Sequence, residues 1–172
     1  MSGTICQMMK TLYLLRHAKS SWDDHSLADF DRPLNERGRR AAPFIGKLMK
    51  DRGLVPDAIV CSPAKRAVET AKLVMEASGF GGEVSFEERI YEASPQRLSE
   101  VTRGIDDKYG SAMIVGHNPG IEGFIRFLTG AIEPMPTAAL AVIELDIAHW
   151  ADADLGSGRL VTVVRPKDEM GR

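Results

Sequence analysis

The sequence predicts a three-layer α/β/α sandwich built on a mostly parallel sheet with one antiparallel strand. Short apolar runs of strand length alternate with longer segments of helical periodicity, which is the pattern of successive β-α-β units. The chain has 172 residues, the length of one domain, and no internal repeat or low-complexity linker divides it. These observations favour a single α/β domain with helices on both faces of the sheet.

Five apolar runs are expected to form the sheet. The first three are separated by helical segments and are expected to be parallel. The last two alternate like edge strands, and the connection between them contains Gly156-Ser157-Gly158, so we expect a hairpin that includes the antiparallel strand. The predicted strands are 11–16, 57–61, 112–117, 139–146 and 159–164.

Four helices are expected, and capping residues mark their ends. Gly53 and Gly79 each follow the last turn of a predicted helix. Ser62 and Ser94 each precede a proline, the arrangement of an N-cap before the first helical residue. The predicted helices run from Asn35 or Glu36 to about Arg52, from Pro63 to about Ala77, from Pro95 to about Tyr109, and from Asn118-Pro119 to near Gly130.

The remaining segments divide into functional loops and chain ends. Segments 18–34 and 130–138 are polar or proline-containing connections, and functional residues are concentrated in such loops. We expect residues 11–165 to form the domain. Residues 1–10 lack the apolar stretch of a signal peptide and are expected to be a dispensable extension, and 166–172 a tail.

The composition directs attention to local clusters of residues. With 22 Lys and Arg against 24 Asp and Glu the net charge is -2, which favours neither a nucleic acid nor an anionic membrane as partner. No apolar run approaches the roughly 18 residues of a spanning helix, so we expect a cytoplasmic protein. Cys6 and Cys61 are too few for a disulfide scaffold, and Cys61 is expected to be a small buried residue.

Two predicted strands end in histidine, and a third leads into a helix with an arginine in its first turn. Arg16-His17 ends the first strand, His117 ends the third, and Arg66 follows the second. The carboxyl ends of strands in an open sheet share one crevice, where ligands bind. Each residue alone has an ordinary structural explanation. Together, two imidazoles and two guanidinium groups suit a tetrahedral dianion with a nucleophile beside it.

These residues resemble the histidine phosphatase superfamily. The resemblance covers about residues 11–165 and implies a phosphoglycerate mutase-like fold. Ala18 stands where many members have glycine, which tightens the turn but removes no reacting group. The matching segments are Leu15-Arg16-His17-Ala18, Cys61-Ser62-Pro63 with Arg66 and Thr70-Ala71, and Val115-Gly116-His117-Asn118.

A further match is to the short SixA-type phosphohistidine phosphatases. It lies in the segment from Arg16 to Trp22 and in the segment from Asp31 to Gly38. The resemblance implies that the chain is an enzyme without metal or cofactor.

The resemblance also implies a role for each of the four core residues. His17 would attack phosphorus and form a phosphohistidine, which water then hydrolyses. Arg16 and Arg66 would bind the phosphate oxygens, because guanidinium groups match phosphate geometry and stay charged. His117 would donate to the same oxygens. We expect a backbone carbonyl to hold the N–H of the His17 ring, and the nearby cations to lower its pKa.

The proton donor for the leaving group is less closely defined. Glu92 occupies the place where larger members carry an acidic proton donor, and it is the candidate general acid; an exposed carboxylate before the next helix is the structural alternative. Asp23 and Asp24 are further candidates for this role. Their position in a polar loop favours solvated side chains over this role.

Three side chains of the first loop are candidates for the rim of the site. Lys19 and Ser21 are expected to reach the bound phosphate or else to be solvated. Arg32 is expected to touch substrate or to pair with Asp31.

The sequence therefore predicts a metal-independent phosphatase acting on phosphohistidine in a protein. The alternatives are a phosphomonoesterase for a small sugar or nucleotide phosphate, and a non-catalytic phosphate-binding module. We expect a monomer or weak dimer. His25 and His149 have no evident partners at metal-ligand spacing, so no zinc site is expected.

Overall fold

In the computed structural model, which describes residues 9–170, six strands form one sheet. They are β1 (Lys10–Arg16), β2 (Ala58–Cys61), β3 (Glu83–Phe86), β4 (Ser111–Gly116), β5 (Leu140–Leu145) and β6 (Gly158–Val164). The strand order is β3-β2-β4-β1-β5-β6. Neighbours pair in parallel except at β5, which is antiparallel to both β1 and β6. The predicted sheet with one antiparallel strand is confirmed.

Helices cover both faces of this sheet. Leu12 and Leu14 of β1 pack in the apolar cluster that includes Phe124. Tyr13 and Leu15, which alternate with them, pack in a second cluster on the opposite face. The predicted three-layer architecture follows from this alternation. The helices are α1 (Glu36–Arg52), α2 (Lys65–Ser78), α3 (Pro95–Arg103), α4 (Gly120–Thr129) and α5 (Pro166–Glu169).

Two helices are shorter than predicted. Helix α2 begins at Lys65 and not at Pro63, because Ala64 has an extended conformation. Helix α3 ends at Arg103 and not near Tyr109, because the chain turns there: the Asp106 carboxylate accepts the Lys108 N–H.

Strand β3 was not predicted from the sequence. It is a four-residue edge strand whose side chains are mostly exposed. Such a segment carries neither the continuous apolar run of a buried strand nor a clear alternation.

The described chain ends pack against the domain. Lys10 is the first residue of β1, and its Nζ donates to the carbonyls of Asp107 and Tyr109. Most of the predicted extension 1–10 lies outside the described residues, and the division into domain and extensions stays a prediction. No helix within residues 9–170 is long and apolar enough to cross a membrane.

Candidate active site

The register of two parallel strands brings the histidines together. Strand β1 pairs with β4 so that Arg16 lies opposite Gly116. The next residues, His17 and His117, are therefore neighbours at the carboxyl edge of the sheet, and their ring centroids are 5.1 Å apart. The His17 N–H donates to the Gly116 carbonyl, which fixes the strand end at this point.

Two contacts define the protonation of His17. Its Nδ1 lies 2.8 Å from the Ala18 carbonyl oxygen, which can only accept, so the proton is on Nδ1. Arg66 Nε, which can only donate, lies 3.4 Å from His17 Nε2. Both contacts require a lone pair on Nε2, the atom that faces the arginine. The neutral ring thus presents a nucleophilic nitrogen next to a fixed cation.

The surroundings of His17 oppose its protonation. Its pKa is lowered to about 3, mainly by burial and also by His117, Arg66 and Arg16, against the Ala18 carbonyl, which raises it. The unfolded chain would protonate the ring near pH 6.5. Between these values the folded chain binds fewer protons than the unfolded chain. The contribution of the neutral His17 ring to the free energy of unfolding is therefore present above about pH 6.5. It decreases as the pH falls toward 3.

We expect the His17 imidazole to remain neutral throughout pH 5–8. The test is an NMR titration of the histidine Cε1–H signals, in which the signal lost in His17→Ala assigns His17. That signal is expected to move little across the range, because the pKa of the ring is about 3. A His17 midpoint between pH 6 and 7 would contradict the burial and charge arguments.

Arg16 is anchored by the loop 130–138, the second of the two predicted functional loops. Its Nη1 donates to the Met135 carbonyl at 3.0 Å. Glu122 holds that loop, because its Oε1 accepts from both the Met135 N–H and the Asn118 side-chain amide. Burial lowers the pKa of Arg16, and the Glu122 charge opposes this shift. The guanidinium is therefore held from one side by protein groups.

Arg66 is held by a carboxylate that sequence reasoning missed. Its Nη1 donates to the Asp29 carbonyl and its Nη2 lies 3.0 Å from Asp29 Oδ2, while Nε faces His17. The Asp29 carboxylate also accepts from Tyr91 and Arg32, and these contacts hold its pKa well below the usual range. Asp29 therefore stays ionised and orients Arg66.

His117 is oriented by Ser62. The His117 Nε2 is 2.8 Å from Ser62 Oγ, and the Ala64 N–H donates to the same oxygen. With its oxygen accepting from Ala64, the Ser62 hydroxyl can donate to His117 Nε2 and leave the proton of the ring on Nδ1. The predicted N-cap residue thus serves the histidine instead of the helix. Burial and the Arg66 charge lower the pKa of His117 to about 4.

Thr70 connects the turn after His17 to helix α2. Its hydroxyl oxygen accepts the Ala18 N–H at 2.9 Å, and its hydrogen is donated to the Arg66 carbonyl at 2.7 Å. The side chain is fully buried. A single hydroxyl therefore ties the turn after His17 to the turn of helix that carries Arg66.

We expect Thr70→Val to lower kcat/KM about tenfold or more, since it leaves the buried Ala18 N–H unpaired, at a cost of about 1–3 kcal/mol. Thr70→Ser keeps the hydroxyl and should retain activity within about threefold. Thr102→Val is the matched control, because Thr102 is equally buried but only donates to the Leu98 carbonyl. Kinetics with denaturant unfolding measure all three. Equal activities of the two valine variants would contradict the proposed tie.

Four other side chains of the sequence prediction lie around this centre. Arg32 pairs with Asp29, not with Asp31, and stacks on the exposed Trp22. The Ser21 hydroxyl accepts the N–H of Asp23. Among residues 9–170, no hydrogen bond joins Lys19, Ser21 or Glu92 to the four converging residues, which are Arg16, His17, Arg66 and His117.

Glu92 directly follows Tyr91, a residue that contacts His117. It is exposed and lines a groove with Glu88 and Arg97. Its φ of 56° is in the left-handed region, a costly conformation for a residue other than glycine and one that is concentrated at functional sites. The preceding residue, Tyr91, packs its ring edge-on against His117 at 5.5 Å. Glu92 thus follows a residue that contacts His117, while its own carboxylate is at the surface.

The centre has donors available for an oxyanion. Among residues 9–170, three buried side-chain atoms lack a hydrogen-bond partner, and two of them are Arg16 Nε and His117 Nδ1. Buried donors normally have partners, so two orphans in one site point to a ligand. An oxyanion would accept from both. Within the same described residues, no three His, Cys, Asp or Glu side chains are grouped as a metal site.

The fold and the converging side chains define an α/β protein whose sheet edge combines a neutral imidazole with cationic groups. Comparison with known proteins gives its family. The sequence profile of the histidine phosphatase superfamily (branch 1) matches residues 12–103. The chain belongs to this superfamily.

Several relatives extend over nearly the whole chain. An uncharacterised Mycobacterium tuberculosis protein is 33% identical over 158 residues, which are 86% of this chain and 96% of its own. A solved Agrobacterium tumefaciens structure, described as a candidate phosphohistidine phosphatase SixA, is 30% identical with a TM-score of 0.79 and covers 91% of this chain and 98% of its own. A Nakamurella multipartitia candidate SixA has 26% identity, a TM-score of 0.80 and coverages of 92% and 96%. The predicted resemblance to SixA-type proteins and the predicted fold are confirmed.

Proposed function

We propose that this protein is a phosphatase that hydrolyses phosphohistidine on a protein substrate through a phosphorylated His17. The observation that carries the proposal is the tautomer of His17: Nδ1 donates to the Ala18 carbonyl and Nε2 is left with its lone pair beside Arg66. A general base is therefore not needed to activate the nucleophile. The similarity to candidate SixA phosphohistidine phosphatases supports the choice of substrate.

The first step transfers the phosphoryl group to the enzyme. The Nε2 lone pair of His17 attacks phosphorus, the bond from phosphorus to the leaving nitrogen breaks, and that nitrogen takes a proton from solvent and leaves as neutral imidazole. The Arg16, Arg66 and His117 donors would contact the equatorial oxygens, where charge is spread in the transition state. Because the donors are already oriented by Met135, Asp29 and Ser62, little reorganisation is needed.

The second step returns the enzyme to its starting state. Water attacks the phosphorus of phospho-His17, the P–N bond breaks, and the electron pair returns to Nε2. The water loses one proton to the released phosphate or to solvent. Since the pKa of the free ring is about 3, His17 regains its nucleophilic form immediately at neutral pH. No metal or cofactor enters either step.

The alternative substrate is a small sugar or nucleotide phosphate. An alkoxide needs a proton as it leaves, whereas a phosphohistidine imidazole leaves with less help. In the structure the Glu92 carboxylate is exposed, and Asp29 is held ionised by its three partners. Asp29 is therefore not available as a proton donor, and Glu92 is the carboxyl group that could protonate an alkoxide, from an exposed position. A site with one exposed acid favours the phosphoramidate substrate, which needs less help to leave.

A substrate comparison tests this proposal. We expect a phosphohistidine protein to be hydrolysed with at least about tenfold higher kcat/KM than any metabolite in a panel of sugar and nucleotide phosphates. The assays contain EDTA, and activity is expected to be unaffected by it. Faster turnover of a sugar phosphate would establish the alternative, and the absence of turnover on every substrate would support a phosphate-binding module.

We expect Glu92→Gln to separate the two substrate classes. A placed acid contributes about 10²–10⁴-fold when an alkoxide leaves, so hydrolysis of alkyl phosphates should fall strongly while phosphohistidine hydrolysis stays within about tenfold. Glu88→Gln is the control, because Glu88 lines the same groove. Steady-state kinetics on both substrates provide the measurement. Equal large losses would show that Glu92 serves both reactions.

A further inference from the structure

A cationic cleft adjoins the candidate active site. It has a volume of about 380 Å³ and lies between the turn after β1, the first turns of α1, and the α5 segment. Four of its lining side chains are basic, and none of its lining residues within the described chain is acidic. The basic residues are Lys19, Arg37, Arg40 and Lys167.

Within the described part of the chain, the four cations of the cleft are not neutralised by ion pairs. Among residues 9–170, none of the four makes an ion pair. By contrast, Arg52, Arg89, Arg159 and Arg165 each lie within ion-pair distance of a carboxylate. The net charge of the chain is -2, so an overall excess of positive charge does not account for the cluster.

Two carboxylates near these cations along the chain do not line the cleft. Glu36, which precedes Arg37, lines the neighbouring groove on the Trp22 side, whose lining also includes Lys19 and Arg37. Glu169 contacts Arg52. The positive charge within the cleft is therefore not neutralised by its own walls.

Two walls of the cleft are connected to the strand end that carries Arg16 and His17. Lys19 is two residues beyond His17, and its carbonyl accepts the Asn35 N–H at the start of α1. Thr137, on another wall, precedes Ala138, whose N–H donates to the Arg16 and His17 carbonyls. Two lining residues of the cleft are thus joined, through the chain and through backbone hydrogen bonds, to the strand end that carries His17.

We propose that this cleft binds a second anionic group of the substrate. The inference rests on the proposed function, because it takes His17 as the place of the reacting phosphoryl group. The chemistry required is a dianionic or multiply charged group beside the labile phosphate. Acidic side chains flanking a phosphohistidine, or the second phosphate of a bisphosphorylated metabolite, would both supply it.

We expect the enzyme to prefer substrates that carry a second anionic group, and this preference to decrease as the salt concentration rises. One exposed ion pair contributes little, but several cations facing one anion add their attractions. Reversing two of the four charges removes two attractions and introduces two repulsions, and we expect a change of about tenfold in kcat/KM. Screening over about 3 Å at 1 M salt should abolish the preference.

The test compares paired substrates that differ only in the second anion. One arm uses phosphohistidine peptides with acidic or with serine flanks, and the other uses fructose 1,6-bisphosphate or fructose 6-phosphate. The enzymes are wild type, Arg37→Glu/Arg40→Glu, and the control Lys47→Glu/Lys50→Glu. The control reverses two exposed charges on the same helix outside the cleft. Calorimetry on His17→Ala measures the binding of the two sugar phosphates without turnover.

We expect the wild type and the control to prefer the doubly anionic member of at least one pair by about tenfold, and Arg37→Glu/Arg40→Glu to lose this preference. The pair that shows it identifies the source of the anion. No preference in either arm, or equal losses in the two double variants, would overturn the proposal. If no substrate is turned over, the proposed function fails, and calorimetry then tests whether the cleft binds a second anion. Tighter binding of the bisphosphate than of the monophosphate, dependent on Arg37 and Arg40, would support the proposed cleft. Equal binding of the two sugar phosphates would overturn it.

Discussion

His17→Ala is expected to lower turnover by roughly 10⁴-fold or more, the scale of removing a nucleophile that acts as part of a unit. The physical reason is that Nε2 of this ring is the nucleophile in the proposed reaction, held unprotonated by the Ala18 carbonyl on the other nitrogen and by Arg66. The fold should persist, because His17 lies at the end of β1 and outside both apolar clusters. Circular dichroism and thermal unfolding check the fold, and kcat/KM on a phosphohistidine protein measures the loss.

His25→Ala is the matched control for this variant. His25 is exposed in the 18–34 loop, so its replacement should leave kcat/KM within about twofold. His17→Ala activity within tenfold of wild type would refute the assignment of the nucleophile. Comparable losses in His17→Ala and His25→Ala would point to a general effect of altering histidines in this region.

Arg16→Ala and Arg66→Ala are each expected to lower kcat/KM by about 10²–10³-fold, which is the effect of losing one donor to developing negative charge. Lysine should restore activity only in part, because it keeps the charge and loses the guanidinium fork. The two variants should also differ in a secondary way. Arg66→Ala leaves the Asp29 carboxylate without one of its three side-chain partners, so Arg66→Ala/Asp29→Asn should recover some activity, whereas Arg16→Ala/Asp29→Asn should not.

Steady-state kinetics of these variants provide the measurement. Arg159→Ala is the control, because Arg159 forms a surface ion pair with Glu144 far along the sheet from the centre. Its kcat/KM should remain within about twofold of wild type. Near-normal activity of Arg16→Ala or Arg66→Ala, or full rescue by lysine, would contradict a guanidinium clamp on the phosphoryl group.

The convergence of the four central residues could be predicted because it depends on chain order and strand direction. Arg16, His17 and His117 end parallel strands, and Arg66 begins the helix after another. Parallel strands in one sheet present their carboxyl ends at one edge, so the positions follow without knowledge of any loop. The register of Arg16 with Gly116 then gives the close approach of the histidines.

The residues that orient these four could not be found in the same way. Asp29 reaches Arg66 along the path of a long loop, and no local pattern in the sequence gives that path. Ser62 was interpreted as an N-cap because a serine before a proline is usually one, yet its hydroxyl contacts His117 from a different strand. Thr70 carried a detectable signal: it lies four residues after Arg66 and therefore on the same face of α2.

The most direct test of the central claim is to trap the phosphoenzyme. Enzyme mixed with ³²P-labelled phosphohistidine protein and quenched within milliseconds should carry label after an alkaline quench and little after an acid quench, since phosphohistidine is labile in acid. Peptide mapping under alkaline conditions is expected to place the label on His17, and His17→Ala should carry none. Label on another residue, label that survives acid, or full turnover with no labelled enzyme at any time would contradict the account.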